Sequence, residues 1–460
     1  MLRLVVFLCL LFALNPKGIA QANPEAAQNV LSLTDFLELV KKNYPLSKQA
    51  ALLNQVAQAE LRVAKGGFDP KLFGNYEQKY FDSKNYFSFG EFGVKLPTWY
   101  GIELKSSYNT ALGSFVDPEN KLPKQGQAII GLSVPVLQSL RIDDRRANLF
   151  KAQEGKGLYQ AEIANLTNDI AFDATQQYWK WAYAYQQTQI FEQALQVAQA
   201  RFNAIKTSFE LGDRMAMDTL ESFTQVQDRT LEYNNVQLEY QIAQLKIANY
   251  LASSPQTKSL QPQSSIEPPP FGRIEGGQAA TVDLHPLLRG YAFKLNQLNI
   301  DSKLKADKLK PKLNLNYNFL SNGSNFNNLL TNNYKWGITF SSSALFRSER
   351  GDLALAKLKI EALQLARDQK AIELKNKQTQ ATNELENLQQ QIRLYQNTVR
   401  NYQQLLQLEN ERFSLGESSF FLINSRENKY IEAQLKLAKL YAEFQIAQSA
   451  VKWSRGLLGF

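Results

Sequence analysis

The chain has 460 residues, with 52 Lys and Arg against 43 Asp and Glu, giving a formal charge of +9. One cysteine, Cys9, and one histidine, His285, exclude most zinc, haem, iron–sulfur and Cys/His nucleophile chemistry. A hydrophobic content of 44% excludes a disordered chain, and basic residues interleaved with acidic ones leave no concentrated patch for nucleic acid.

The N-terminus reads as a secretory signal over residues 1–22. Arg3 is followed by an apolar run from Leu4 to Leu14, and Ala20-Gln21-Ala22 forms a small-x-small cleavage site. The run is too short to cross a bilayer, and no later stretch of about 18 apolar residues occurs. Cleavage near Gln21–Asn23 would remove 22 of 460 residues, leaving 438, and would take away Arg3, Lys17 and the only cysteine. An uncleaved N-terminal anchor is the alternative.

A helix of about 20 residues is predicted from Leu46 to Lys65. Strands follow: Leu72, Tyr76 and Tyr80 alternate with Asn75, Glu77 and Lys79, and Ile130, Leu132, Val134 and Val136 give a return strand. Between them, Phe92/Val94/Leu96 and Ile102/Leu104/Tyr108 flank a turn at Pro97–Gly101; they fit an extracellular hairpin or two further barrel strands equally well. No proline lies between Pro135 and Pro255, and a helix of about 70 residues is predicted from Ile142 to Leu211. Phe191, Leu195, Ala198, Phe202, Ile205 and Phe209 form its apolar row. Leu211-Gly212 is a helix stop, and a return helix is expected from Asp218 to Ala252.

The Ser/Pro-rich segment 253–281 reads as a linker or belt. The pattern then recurs: a helix from Leu287 to Leu309, a strand with Leu313, Leu315, Tyr317 and Phe319 alternating with Asn314, Asn316 and Asn318, and a return strand with Trp336, Ile338 and Phe340. Another long helix spans Ser348 to Leu415, and a last one runs from Phe421 to about Leu457. On the Ser348–Leu415 helix the row Leu385, Leu388, Ile392, Tyr395, Val399, Tyr402, Leu406, Glu409, Phe413 steps alternately by three and four, a 3.5-residue period that imposes a left-handed supercoil. The two shorter helices of each half, stacked end to end, approach the length of the long one.

The halves match in order. Pro70-Lys71-Leu72-x-x-Asn75-Tyr76 corresponds to Pro311-Lys312-Leu313-x-x-Asn316-Tyr317, and Leu211-Gly212 corresponds to Leu415-Gly416. The repeat is far longer than a solenoid unit and reads as a duplicated half-protein. Residues 23–252 and 282–460 are the two repeats, and the first carries 35 extra residues among its strands.

Signal peptide, duplication, strand pairs and long helical hairpins with Leu-Gly tips together resemble the TolC-type outer-membrane efflux protein family. The local markers are Phe68-Asp69-Pro70-Lys71-Leu72, Phe209-Glu210-Leu211-Gly212-Asp213-Arg214 and Arg412-Phe413-Ser414-Leu415-Gly416-Glu417-Ser418. The resemblance implies a mainly α fold with a membrane β-barrel: a homotrimer, four strands per chain in a twelve-stranded barrel, and coiled-coil hairpins forming a periplasmic tunnel. It implies a passive exit duct in the outer membrane, extending into the periplasm, served by an inner-membrane pump and a periplasmic adaptor. Leu211, Gly212, Asp213, Leu415, Gly416, Glu417 and Ser418 would be the adaptor-docking tips. Glu409, Glu411 and Arg412 are candidates for a periplasmic gate, with plain surface charge as the alternative. No enzyme activity, cofactor or metal is expected: Asp143 and Asp144 sit at a helix start, where carboxylates favour the dipole, and His285 sits at a helix entry before Pro286. A periplasmic coiled-coil scaffold or tether is the competing function; it explains the heptads but not the alternating strands.

Overall fold

The computed structural model describes residues 30–252, 260–263, 282–322 and 333–459. The signal segment and most of the linker lie outside them. After a two-residue strand β1 (Val30–Leu31) come helices α1 (Leu33–Asn43) and α2 (Pro45–Gly66). Four strands follow: β2 (Lys71–Phe81), β3 (Lys84–Pro97), β4 (Glu103–Leu112) and β5 (Gln127–Pro135). The first helical hairpin is α3 (Asp144–Glu210) and α4 (Ala216–Tyr250). After β6 (Gln261–Pro262), the second half repeats the order with α5 (Pro286–Asp307), β7 (Lys312–Asn322), β8 (Tyr334–Ser341), α6 (Arg347–Ser414) and α7 (Phe420–Ser454). No described helix is long and apolar enough to cross a membrane.

The long helices α3 and α6 have 67 and 68 residues, about 100 Å at 1.5 Å per residue. Asp143 caps α3 by accepting the Arg146 amide at 3.0 Å. Burial pushes the Asp143 carboxyl up, but the Arg146 amide and guanidinium, with Arg145, hold it below the usual range. His285 caps α5, its Nδ1 accepting the Leu287 amide at 3.2 Å.

Shorter helices stack into columns beside the long ones. Tyr44, which caps α2, packs on Tyr250 at the end of α4 with ring centroids 4.9 Å apart. At the end of α7, a Cβ on Gly456 would come within 2.4 Å of Pro286 at the start of α5. The α2/α4 column and the α5/α7 column both pack on α3, and α6 packs on the α5/α7 column. Each chain is thus four columns wide, with α2/α4 at one edge and α6 at the other.

The coiled-coil seam is the covered stripe of α6: Leu385, Leu388, Ile392 and Glu409 are buried, and Tyr395, Val399, Tyr402, Leu406 and Phe413 are half-buried. Leu440, Phe444 and Val451 of α7 complete this core. A second core lies at mid-height, where Leu31, Phe36 and Val40 pack on Ile170, Tyr178 and Trp181 of α3 and on Ile247 of α4. There Tyr178 donates to the Leu31 carbonyl at 2.9 Å, and β1 pairs in parallel with β6. The four described linker residues, 260–263, thus pack against α3 and α4 at this level.

Six strands form one antiparallel sheet in the order β2-β3-β4-β5-β7-β8. The family pattern implied four strands per chain and the sequence left the role of the extra segment open; the described residues give six. The 35 extra residues supply β3 and β4, which insert between β2 and β5 rather than forming an appendage. β3 pairs with β2 from Lys84 to Lys95 and with β4 from Ser88 to Pro97, and β4 pairs with β5 from Glu103–Ser133 to Asn109–Gln127.

Candidate functional site: the hairpin tips and the two-faced sheet

At the first tip, Gly212 takes φ +84°, its amide donates to the Phe209 carbonyl at 3.0 Å, and the Asp213 amide donates to the Ser208 carbonyl at 2.9 Å. At the second, Gly416 takes φ +79°, bonds to Phe413 at 3.1 Å, and the Glu417 amide reaches Arg412 at 2.9 Å. Both are Schellman turns, in which a left-handed residue satisfies the orphan carbonyls of the helix end. No atom lies within 4 Å of a Cβ placed on either glycine, so backbone conformation alone selects glycine there.

Leu211 and Leu415 are about three-quarters exposed. Sequence reasoning missed their apolar company: Met215, Met217 and Leu220 beside the first tip, and Phe421 beside the second, are also exposed. Composition held a signal, because the chain has three methionines and two of them are Met215 and Met217. Thioether chains suit an adaptable contact surface.

The gate candidates separate. Glu409 is buried, covered by side chains of its own tip. Its Oε1 accepts Ser418 Oγ at 2.6 Å, Arg412 Nη1 lies 3.8 Å away, and Arg426 Nε of α7 lies 3.6 Å from Oε2. The Ser418 hydrogen bond, with the charges of Arg412 and Arg426, holds its carboxyl below the usual range against the opposing effect of burial. Arg412 also donates to the Glu417 carbonyl at 3.2 Å. Glu411 is exposed, and its carboxylate accepts a long bond from Gln407, 3.4 Å. Glu409, Arg412 and Ser418 thus form one clamp with Arg426, and Glu411 stands outside it.

A polar bridge between the two hairpins was not read from the sequence. Buried Gln225 of α4 donates to Asn424 at 2.8 Å and Glu427 at 3.3 Å, and Arg201 of α3 pairs with the same Glu427. Buried Arg229 reaches Asn428 and, at 2.7 Å, Glu232. At the tip itself the Arg214 guanidinium lies 4.3 Å over the Phe413 ring, joining one turn to the other.

Strand register gives the sheet two distinct faces. One carries Leu72, Tyr76, Phe92, Val94, Leu104, Tyr108, Ile130, Leu132, Leu315, Tyr317, Trp336 and Ile338. The other carries Asn75, Glu77, Glu91, Lys105, Asn109, Ser133, Asn314, Asn316, Asn318 and Thr339, together with the apolar Phe73, Phe87, Phe89, Ile129 and Leu320. Across the polar face one register row reads Lys71, Lys95, Lys105, Gly131, Asn318, Lys335. Within it Lys105 pairs with Glu91 at 2.6 Å.

Searches against protein-family models and against curated protein sequences return no match. Solved structures do match. The Campylobacter jejuni CmeC outer membrane channel superposes with a TM-score of 0.68 at 15% identity, covering 93% of this chain and 86% of that chain. The fold is that of the TolC-type outer-membrane channels. The outer membrane protein VceC from Vibrio cholerae gives a TM-score of 0.66 at 14% identity, covering 92% of this chain and 96% of that one. The open state of the Neisseria gonorrhoeae MtrE outer membrane channel gives 0.63 at 14% identity, with 93% and 89% covered. At such identity the likeness carries the TolC-type fold and leaves function to the site itself.

Proposed function

We propose that three copies of this chain close edge to edge into a passive exit duct in the outer membrane. Its helical end extends into the periplasm, where an adaptor connects it to an inner-membrane pump. The observation that supports this reading is the division of the sheet into two unlike faces: an apolar band crosses all six strands on one, while Asn, Lys, Glu and Ser predominate on the other, interrupted by Phe73, Phe87, Phe89, Ile129 and Leu320. An apolar outside and polar inside are what a barrel wall in lipid around a wet lumen requires.

The edges support self-association. Exposed leucines recur every seven residues on α4 (Leu231, Leu238, Leu245) at one edge, and Leu358, Leu365 and Ile372 do so on α6 at the other. The sheet ends on the same two sides, with β2 following α2 and β8 preceding α6. β2 and β8 run in opposite directions, so β8 of one copy can add antiparallel to β2 of the next. A lipid-facing sheet cannot leave such edges unpaired, and a head-to-tail contact of this kind closes into a ring. The exposed Leu and Met residues at the first tip, and Leu415 and Phe421 at the second, supply the surface against which an adaptor docks.

The test places cysteines on the two helical edges, Leu238→Cys and Leu394→Cys, both 22–26 residues from their tip glycine. Thiol cross-linking of outer-membrane fractions should give a ladder ending at three chains. A soluble, elongated monomer would instead establish the scaffold reading.

A further inference from the structure

Resting on the trimeric duct reading, we propose that the exit barrel is eighteen-stranded and as wide as the helical tube beneath it. The barrel wall then sets no tighter size limit on cargo than the tube does, and the tips become the size-selective point.

Arc length carries the argument. Neighbouring strands lie about 4.8 Å apart. At a tilt of about 40° each takes roughly 6.3 Å of barrel circumference. Six strands therefore cover roughly 38 Å of arc, where four would cover roughly 25 Å. Next to the sheet each chain presents four helices, α2, α3, α5 and α6, packed in that sequence. At 8–10 Å between axes they span about 32–40 Å. Six strands match that arc, whereas four would close it with a wall narrower than the tube. Three copies give a wall about 36 Å across, against about 24 Å for twelve strands.

The inserted hairpin is built into the wall at its base as well as along its length. Its turn closes with Thr98 Oγ1 donating to the Ile102 carbonyl at 2.7 Å. Trp99 stacks on Phe68 at the end of α2, with ring centroids 4.6 Å apart. A Cβ on Gly101 would meet the Arg146 guanidinium of α3 at 2.8 Å. In the half next to the turn its strands obey the same face rule as their neighbours: Phe92, Val94 and Leu104 lie on the apolar face, Glu91, Lys95 and Lys105 on the polar one, whereas Phe87 and Phe89 further along β3 depart from it. A hairpin standing in water outside the barrel would have no reason to keep that alternation in register.

Single-particle imaging of the full-length trimer in lipid nanodiscs counts the strands in a section through the apolar band. Eighteen strands are expected, with a wall-to-wall cross-section about 2.3 times that of a twelve-stranded barrel. Independently, Asn109→Cys with Gln127→Cys, opposite each other on β4 and β5, should form an intrachain disulfide, against a background of Cys9 alone. A trimer with twelve strands and residues 84–112 off the wall overturns this inference and leaves the duct intact. A monomer overturns both.

Discussion

Replacing Lys71, Lys95, Lys105 and Lys335 with Gln is predicted to reverse the ion preference of the duct. On the polar face of the strands, Lys71, Lys79, Lys95, Lys105, Lys312 and Lys335 stand against Glu77, Glu91 and Glu103. Six lysines against three glutamates give +3 per chain, hence +9 for three copies. An eighteen-stranded wall leaves a lumen about 12 Å in radius after side chains, over an apolar band about 25 Å tall. The fixed charge is then on the order of 1 M, and in 1 M salt it should favour anions about threefold at equilibrium. The quadruple variant keeps two lysines against three glutamates, −1 per chain, and should favour cations by about 1.5-fold. Reversal potentials under a KCl gradient across a planar bilayer read this directly, and the sign should change. Lower salt should enlarge both preferences as screening weakens. An unchanged reversal potential in a folded trimer would refute the assignment of this face to the lumen.

Gly212→Ala and Gly416→Ala should each cost about 1–2 kcal/mol locally, because both glycines sit at positive φ with nothing crowding a Cβ; hydrogen exchange at the tip amides should speed up while trimer melting stays unchanged. Leu440→Ala, fully buried in the α6–α7 seam, should cost about 2–5 kcal/mol and lower the thermal midpoint. Burial holds the His285 pKa below its ordinary 6.5, so the fold prefers the neutral cap. Its contribution is full above pH 6.5 and is lost as pH falls through the lower folded value; His285→Asn should flatten that part of the midpoint-against-pH curve. Glu409→Ala with Arg412→Ala removes the clamp at the second tip and should raise single-channel conductance and weaken block by divalent cations; parental values for both would place the constriction elsewhere.

Helix ends were legible because proline and glycine punctuate them. The span expected from Ile142 to Leu211 is α3 at Asp144–Glu210, and that from Ser348 to Leu415 is α6 at Arg347–Ser414. The seam was legible because a 3.5 period is local. Strand count was not, because it depends on pairing between distant residues: β5 pairs with β7 across the whole first helical hairpin, as Gly131 facing Asn318 shows. The α1 helix and the β1–β6 pair escaped notice for a different reason. They are short, and packing around Tyr178 rather than periodicity holds them. At the tips, positive φ could be inferred from Leu-Gly, whereas the Glu409 clamp depends on Arg426, seventeen positions away across the turn. The Gln225–Glu427 bridge joins separate hairpins and left no local pattern.

The central claim, that the strands wall a water-filled tube through the outer membrane, is tested most directly along β7. Single cysteines at Asn314, Leu315, Asn316, Tyr317, Asn318 and Phe319 can be probed in intact outer-membrane vesicles with a membrane-impermeant thiol reagent. The account predicts labelling with period two: the three Asn positions react, and Leu315, Tyr317 and Phe319 are shielded by lipid. Equal labelling of all six would mean a sheet bathed in water on both faces, and would contradict the duct.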